Sequence, residues 1–482
     1  MVKKELETAL KFNGERIYSN IDKDIFLISR RNCDGLVAGT IISTALLKLD
    51  TRFTFRTIDY LDPDTVARII SEDHDFNIFI DLNIEDIGKI KNLKDKLLII
   101  DHNNTSQNLK DCEEYLLNPY LYGINGKNEI SSGGLAYLIA EKLNKGNKKL
   151  SLLAIVSALA EKQDTGIKKS LIGLNSEIAS VASSTGIVSI KTDLVFNTFG
   201  YKPIHEALAY NISPFIEGIT WNKENCYKIL KNSGINTHKN GKLRTFAEIS
   251  EEEKNIILDA ITKFIFLSSR NNSNKEIIEN ISNELVNQLY EFVKEDNNSI
   301  LHDGREFAFV INACIRNMKS ELAIGICLGE RNNTLIETEQ LTNSYKANIV
   351  NSLVKIFKEK WRLIDNGSFV FINGEGLLAD DNVKEIVEIL SESITFRKKW
   401  FFLRTLSNDN NYKFYSIKGN NCDLKFDIDS ILKQFPDIIS HVDRNIPNIY
   451  TLKVSYSKIE EFISIIRKGV SKYERESSSS SS

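Results

Sequence analysis

The sequence predicts an α/β protein built around a parallel sheet, and three observations support this fold class. Short apolar strands alternate with helices between residues 25 and 165. This alternation is typical of a parallel sheet covered by helices. Acidic residues follow several of the strands directly. In such sheets ligands bind at the carboxyl ends of the strands, so this edge is the expected site.

The elements of this first region follow from the apolar patterning. Strands are predicted at IFLIS (25–29), RFTFRTI (52–58), FNIFIDL (76–82) and KLLIIDH (96–102). Helices are predicted over 1–18, 36–49, 62–72, 132–143 and 150–162. Asp62 is the expected N-cap of the third of these helices, with Pro63 in its first turn. These elements make residues 1–200 the predicted main domain.

The next hundred residues change in character. Residues 201–300 begin with two of the chain's six prolines and continue with helical patterns around 250–268 and 275–294 that are rich in Glu, Lys and Asn. We interpret them as an inserted, mostly helical module. Residues 301–344 are predicted to return to the first domain as strands, at EFAFVINACIR (306–316) and LAIGICLG (322–329).

The remainder is predicted to be a separate α+β domain over residues 345–472. It has a long helix (345–361), a closing helix (457–470) and four strands between them, at SFVFING, KKWFFLRT, YKFYSIKG and IYTLKVSY. The tail 473–482 is mostly serine, and such a low-complexity segment is predicted to be disordered.

Composition excludes several classes of protein. The net charge of −3 does not suit a polycation that coats nucleic acid. No apolar run approaches about 18 residues, so no membrane span is expected. The amino terminus does not resemble a signal peptide, which favours the cytoplasm. The six cysteines form no C-x-x-C pair, so a metal site would depend mainly on carboxylates.

Carboxylates stand at three successive strand ends. Asp34 follows the first strand, Asp81 closes FIDL, and Asp101 closes LLIID beside His102. Hard divalent cations take oxygen ligands that converge from different strands. The alternative is that each acid is a helix cap or a turn residue.

A series of short motifs carries a family resemblance. Residues 30–35 read RRNCDG where a known motif reads His-x-Asp-x-Asp-Gly, and Asp81 occupies the second motif. Residues 101–103 read DHN in place of Asp-His-His, residues 132–134 supply Ser-Gly-Gly, and 160–161 read Ala-Glu in place of Gly-Asp. In order and spacing these motifs resemble the DHH phosphoesterase superfamily, and especially the archaeal RecJ-like, GINS-associated nucleases. The resemblance covers nearly the whole chain and identifies the last domain with the DHH-associated domain.

The resemblance implies two divalent cations, usually manganese. The first would be held by the positions of Arg30, Asn32 and Asp81. Arginine stays protonated and cannot be a ligand, so we expect this first site to be lost. Arg30 would then act as a fixed positive charge near a phosphate, or be an ordinary solvated turn residue.

The second cation site keeps plausible ligands for Mn²⁺ or Mg²⁺. These are Asp34, Asp81, His102 and Glu161, with Asp101 and Asp164 as secondary candidates. Asp34, Asp81 and His102 are also the predicted catalytic residues if the chain is active, and Asp81 is the most critical of them.

Other positions are implied to contact nucleic acid. Asn312 and Arg316 keep the N-A-x-x-R pattern that RecJ-type nucleases use near the backbone. Arg30 and Asn103 lie beside the expected phosphate position. His441 is what remains of the Gly-Gly-His motif of the last domain.

Three functions are compatible with this reading. The favoured one is a RecJ-like protein of DNA replication or repair that is catalytically impaired, binds single-stranded nucleic acid and acts as a scaffold for the GINS complex and the MCM helicase. The second is an active Mn²⁺- or Mg²⁺-dependent exonuclease on single-stranded DNA or RNA. The third, a phosphoesterase for small oligonucleotides or dinucleotides, ranks last because the insertion is typical of the larger nucleases.

Overall fold

The computed structural model describes residues 4–82, 93–104, 109–268, 281–378, 380–393, 399–406, 411–418, 422, 439–446, 449–466 and 468. The chain forms two compact units. The first comprises Met1–Asp193 and Val286–Ser344, and the second comprises Leu194–Leu285 and Tyr345–Ser482.

A five-stranded parallel sheet forms the centre of the first unit. Its strands are β1 (Ile25–Arg30), β2 (Phe53–Ile58), β3 (Phe76–Ile80), β4 (Leu97–Ile100) and β5 (Leu116–Leu117). They are ordered β2-β1-β3-β4-β5, and every neighbouring pair is parallel. The four predicted strands and the parallel sheet are therefore confirmed. The short β5 had no pattern of its own in the sequence.

Helices of this unit cover the sheet. They are α1 (Lys4–Tyr18), α2 (Cys33–Leu47), α3 (Pro63–Glu72), α4 (Ser132–Leu143), α5 (Ser151–Ala160) and α6 (Gly173–Ser184). Asp62 caps α3 as predicted, since its carboxylate accepts from the backbone N–H of Thr65 at 2.6 Å. Helix α2 begins at Cys33 and not at Leu36, because Asn32 is its N-cap. Nearly every residue of α2 is buried, so it belongs to the core.

Two segments predicted as strands are helices. Residues Gly304–Arg316 form a helix that begins at the cap Asp303, and Ser320–Leu328 form another. The strand prediction was wrong because Phe307, Val310, Ile311 and Cys314 are spaced for one buried face of a helix. Their aromatic and β-branched side chains had suggested a strand instead.

A third correction concerns the predicted helix 275–294. Val286–Phe292 is a strand that pairs with Val188–Leu194 in a two-stranded sheet. Its buried residues Leu289, Tyr290 and Phe292 pack into the core of the first unit. Residues 275–280 lie outside the described residues.

The second unit contains a helical part and a sheet. The helical part includes Ile204–Tyr210, Lys223–Asn232 and Glu251–Ser268, with a small hairpin of His238–Lys239 and Lys242–Leu243. A six-stranded sheet contains Leu363–Asp365, Phe369–Asn373, Trp400–Leu406, Asn411–Lys418, Ile449–Ser455 and Ile439–Ile446, in that spatial order. Further helices are the part of Asn333–Lys358 that follows Ser344, Asp380–Glu392 and 459–466. The predicted α+β character of this part is confirmed.

Two further predictions concern the carboxyl-terminal tail and membrane spans. The serine-rich tail 473–482 lies outside the described residues. Among the residues that the structure describes, no helix is both long and apolar enough to span a bilayer.

Candidate metal centre

Asp34 lies in the first turn of α2 and is fully buried. Its carboxylate accepts from the backbone N–H groups of Ser132 at 3.0 Å and Gly133 at 2.8 Å, and from the hydroxyl of Ser157. Ser132 and Gly133 form the first turn of α4, whose amino terminus carries a partial positive charge. The helix end therefore stabilises a buried carboxylate that otherwise would be costly to ionise.

Gly133 is required for this arrangement. A Cβ atom at Gly133 would lie 2.3 Å from the Ser157 Oγ and 3.4 Å from an oxygen of Asp34. Only glycine lets α4 begin against the carboxylate and the hydroxyl together. This explains physically why the Ser-Gly element forms the start of a helix here.

Asp81 follows β3 in a left-handed conformation, with φ of +55°. Such a conformation is uncommon for a residue other than glycine, and is often found at functional sites. The carboxylate is buried and accepts from Asn32 Nδ2 at 2.8 Å, Asn103 Nδ2 at 3.1 Å and Ser132 Oγ at 3.3 Å. The turn thus directs the Asp81 carboxylate towards α2 and α4.

His102 completes the cluster. Its Nδ1 lies 2.8 Å from the carbonyl oxygen of Gly126, which can only accept, so Nδ1 carries a proton. In the neutral ring the Nε2 lone pair then faces Asp34 at 3.3 Å, Asp81 at 3.6 Å and Glu161 at 3.9 Å. Ligand atoms of Asp34, Asp81 and His102 all lie within 4.8 Å of one another. Metal-binding histidines usually donate their other ring N–H to a carbonyl or carboxylate oxygen, as His102 Nδ1 does to Gly126.

Electrostatics favours a cation or a proton at this place. Burial and the charge of Asp34 raise the pKa of Asp81 well above its usual range. Burial lowers the pKa of His102, but Asp34, Asp81 and Glu161 outweigh it and raise the value to about 9. A divalent cation would satisfy the same carboxylates without a proton. The ligand types and the burial therefore fit a metal ion between Asp34, Asp81 and His102, with the Glu161 carboxylate 3.9 Å from His102 Nε2.

The position of the first predicted cation does not fit. Asn32 Oδ1 accepts from the backbone N–H of Gly35 at 2.8 Å, so its Nδ2 group is the end that reaches Asp81. Asn103 also presents its amide N–H group, to Asp81 and to Asp101 at 2.9 Å. N–H groups repel a cation, so Asn32 covers one carboxylate oxygen of Asp81 with a donor. Asn103 donates to the other oxygen, which also lies 3.6 Å from His102 Nε2.

The secondary candidates Asp101 and Asp164 have other partners. Asp101 accepts from the backbone N–H of Asn103 at 2.8 Å and orients that residue. Asp164 accepts from Arg305 at 2.8 and 3.1 Å. Neither belongs to the group of ligand atoms around His102.

The predicted nucleic-acid residues lie in both units. Arg30 is half-buried at the end of β1, and Arg31 donates to Asp59 at 2.8 Å. Asn312 and Arg316 are half-buried on the helix Gly304–Arg316, which packs against α2 and α5. His441 belongs to the strand Ile439–Ile446 of the second unit.

Sequence reasoning missed several residues that support the cluster. Ser157 donates to Asp34, Gly126 accepts from His102, and Gln163 donates to the same Gly126 oxygen at 2.8 Å. A Cβ atom at Gly126 would lie 1.9 Å from the carbonyl oxygen of His102. These are contacts between distant segments, and the sequence contains no local signal for them.

Comparisons with known proteins agree with this architecture. Residues 199–281 match the family model of the DHH-CID domain. An uncharacterised protein of Methanocaldococcus jannaschii is 26% identical over 380 residues, which is 78% of this chain and 79% of that protein.

Solved structures share the fold. CDC45 from Entamoeba histolytica superposes with a TM-score of 0.61 at 12% identity, over 95% of this chain and 99% of that one. Exonuclease RecJ bound to manganese superposes with a TM-score of 0.54 at 12% identity, over 98% and 96%. The match of residues 199–281 to the DHH-CID domain and the shared fold make this chain similar to the DHH phosphoesterases of the RecJ and CDC45 type.

Proposed function

We propose that this protein is a catalytically impaired RecJ-like module of DNA replication or repair. It holds one divalent cation, binds single-stranded nucleic acid and acts as a scaffold in a replication assembly. The single observation that carries the proposal is the pair of hydrogen bonds made by Asn32, to Gly35 through its oxygen and to Asp81 through its nitrogen.

Asn32 closes the position of one cation. Turning its side-chain amide round would break the cap of α2, which is worth about 1 kcal/mol. The turned amide would still offer only an uncharged oxygen beside Arg30. Two-cation phosphoesterases depend on both ions to activate water and to neutralise the transition state. A chain with one such position is expected to bind a phosphate much better than it hydrolyses one.

The remaining half of the centre is complete. Asp34, Asp81 and His102 are buried, oriented by neighbours and close enough for one ion. Asn103 takes the place of a histidine near the phosphate, and it donates to Asp81 and Asp101 and is not poised to transfer a proton. A cation there would order the strand ends and attract an anionic ligand.

The proposed partners follow from the family. The RecJ neighbour is an exonuclease, which supports nucleic acid as the ligand, and the fold is shared with CDC45. By resemblance to the GINS-associated nucleases, we propose the GINS complex and the MCM helicase as protein partners.

Binding assays test the scaffold. The purified protein is expected to bind labelled single-stranded DNA or RNA without shortening it, and to capture GINS or MCM from mixtures of the purified components. Capture should survive Asp81→Asn, because the proposed scaffold does not need the metal centre for docking. Failure to capture either component would reject the replisome role.

The second candidate is an active exonuclease. The observation in its favour is the intact cluster of Asp34, Asp81 and His102, with Glu161 3.9 Å from the His102 ring. In that case Asp81 would be indispensable, and Arg316 would orient the backbone phosphate. Loss of Mn²⁺-dependent cleavage on Asp81→Ala would support this alternative.

A further inference from the structure

We propose that Lys168 and Lys169 contact the phosphate backbone of single-stranded nucleic acid beside the cation site. The two lysines lie in the loop 162–172, which we call the basic loop. This inference rests on the proposed function, because it assigns a surface to the nucleic acid that the module is proposed to bind.

The basic loop starts in the metal centre. Its chain leaves α5 at Glu161, whose carboxylate lies 3.9 Å from His102 Nε2. Gln163 is buried and lies between the Gly126 and Ile130 carbonyl oxygens, to which it donates at 2.8 and 3.2 Å. The loop therefore emerges from residues that contact the candidate ligands, and Lys168 and Lys169 follow Glu161 by seven and eight residues.

The backbone of the basic loop is held in an unfavourable shape. Lys168 and Lys169 are consecutive residues with φ of +54°, and Lys162 has φ of +53°. Non-glycine residues in this region cost of order 1 kcal/mol or more each, and they persist only when the surroundings enforce them. Glycine or asparagine would be the cheaper choices here. The presence of lysine at positions 168 and 169 indicates that the charged side chain itself is needed.

A half-buried arginine enforces that shape. Arg305 donates to Asp164 at 2.8 Å, to the Lys169 carbonyl oxygen at 2.9 Å and to the Gln288 carbonyl oxygen at 2.7 Å. The backbone N–H of Gln288 donates in turn to the Lys168 carbonyl oxygen at 2.6 Å. Both lysine carbonyls are thus fixed to the core, and the loop is a preorganised structure.

The side chains of the pair remain available. Lys168 and Lys169 are exposed, and within the described part of the chain neither makes an ion pair. The neighbouring Ile167 is 87% exposed, so the loop tip combines an apolar side chain with two positive charges. In a chain of net charge −3, a local basic pair of this kind complements phosphates.

The test measures how salt affects binding. Fluorescence anisotropy with a labelled single-stranded oligonucleotide gives the slope of log K against log salt, with gels to verify that the strand stays intact. Each phosphate contact on a single strand contributes about 0.7 to this slope. The double variant Lys168→Gln/Lys169→Gln should therefore reduce its magnitude by about 1.4, whereas Lys168→Arg/Lys169→Arg should preserve it.

A matched control is present in the same unit. Lys148 and Lys149 are also adjacent and exposed, but they precede α5 whereas the basic loop follows it. Lys148→Gln/Lys149→Gln makes the same charge change and should leave the slope unchanged. Glutamine, arginine and lysine are equally strained at φ of +54°, so the variants at the loop should fold alike.

Each result has a distinct meaning. If the wild type does not bind the oligonucleotide, the nucleic-acid part of the proposed function fails. If the wild type binds and the glutamine pair has the same affinity and slope, this inference alone is overturned. Loss of GINS or MCM capture with unchanged nucleic-acid binding would also overturn it, and would assign the loop to a protein partner.

Discussion

Asn32 and Asp81 are joined by a hydrogen bond of 2.8 Å from the amide nitrogen of the first to the carboxylate of the second. The other end of the same amide caps α2 through Gly35. The Asn32 side chain therefore both caps α2 and places an N–H donor against one carboxylate oxygen of Asp81. The other carboxylate oxygen of Asp81 lies 3.6 Å from His102 Nε2, within the group of Asp34, Asp81 and His102 atoms that could hold a metal ion.

Metal stoichiometry should reflect this half-centre. We expect one Mn²⁺ ion per chain by calorimetric titration, with elemental analysis as a check. Asp34→Asn and Asp81→Asn should each abolish binding, because each removes a charged ligand. Asp59→Asn is a matched control at the end of β2, since Asp59 pairs with Arg31 outside the cluster. A count of two ions per chain would contradict the account.

Replacing Asn32 by aspartate should expose the missing site. Aspartate caps helices as well as asparagine does, so α2 should still form. In the presence of a chelator Asn32→Asp should lower the free energy of unfolding by about 2 kcal/mol, because a half-buried carboxylate would replace the donor to Asp81. Denaturant titration with and without Mn²⁺ measures this, and Mn²⁺ should restore most of the loss. An unchanged stability in the chelator would mean that Asn32 is not close to a charged Asp81.

Restoring the ligand types of the resembled motifs at all three positions should restore the second cation site. The triple variant Arg30→His/Asn32→Asp/Asn103→His is expected to bind two Mn²⁺ ions and to gain measurable phosphodiesterase activity. A matched triple variant that also carries Asp81→Asn should have neither property. If the restored chain folds but still binds one ion, the first site was lost for a reason other than these three residues.

Proton and cation should compete at His102 and Asp81. Since the pKa of His102 is raised to about 9 and that of Asp81 is also raised, cation binding releases protons. Affinity for Mn²⁺ should therefore increase from pH 6 to pH 9, by up to about tenfold per pH unit for each proton released. Without metal, the His102 contribution to stability should be fully present below its ordinary value of 6.5 and disappear as pH rises through 9. A Mn²⁺ affinity that is flat over this range would contradict the proposed ligands.

Asp164 should behave as a structural residue. It is buried and pairs with Arg305, so Asp164→Asn should destabilise the fold by about 3 kcal/mol and leave the Mn²⁺ stoichiometry at one. Glu161→Gln should instead weaken Mn²⁺ binding and leave the stability of the fold nearly unchanged, because the carboxylate faces His102 and is partly exposed. Thermal unfolding and metal titration of both variants separate the two roles. Loss of the ion in Asp164→Asn, with the fold retained, would make Asp164 a ligand.

Gly126 should tolerate no side chain. A Cβ atom would meet the carbonyl oxygen of His102 at 1.9 Å, so Gly126→Ala should displace the histidine and weaken Mn²⁺ binding at least tenfold. Gly146→Ala is a suitable control, since its nearest neighbour would be 3.1 Å away. Equal Mn²⁺ affinities of the two alanine variants would show that the position of His102 does not depend on Gly126.

The sequence predicted the parallel sheet well because strand, turn and helix signals agreed locally. The helix 132–143 and the cap Asp62 were both found in this way. The segment 306–316 was wrongly predicted as a strand, because several of its apolar residues are aromatic or β-branched although their spacing is helical. The strand Val286–Phe292 was missed because pairing with Val188–Leu194 decides its conformation.

Some residues of the candidate site could likewise be predicted from the sequence, and others could not. Acids at strand ends indicated Asp34 and Asp81, and His102 was found beside the strand-end Asp101. Strand polarity alone brings these residues to one edge of the sheet. The role of Asp164 was not visible, because its partner Arg305 is far away in sequence. The hydrogen bonds of Asn32 also required coordinates: the residue type indicated a lost ligand, and the structure adds that its nitrogen faces Asp81.

The most direct test of the central claim is a nuclease assay. Purified protein is incubated in large excess with end-labelled single-stranded DNA and RNA, with Mn²⁺ and then with Mg²⁺, beside Asp81→Ala. The account predicts that the labelled strands remain full length in every lane. Strand shortening by the wild type that disappears in Asp81→Ala would contradict it, because a single-cation centre would then be a working nuclease.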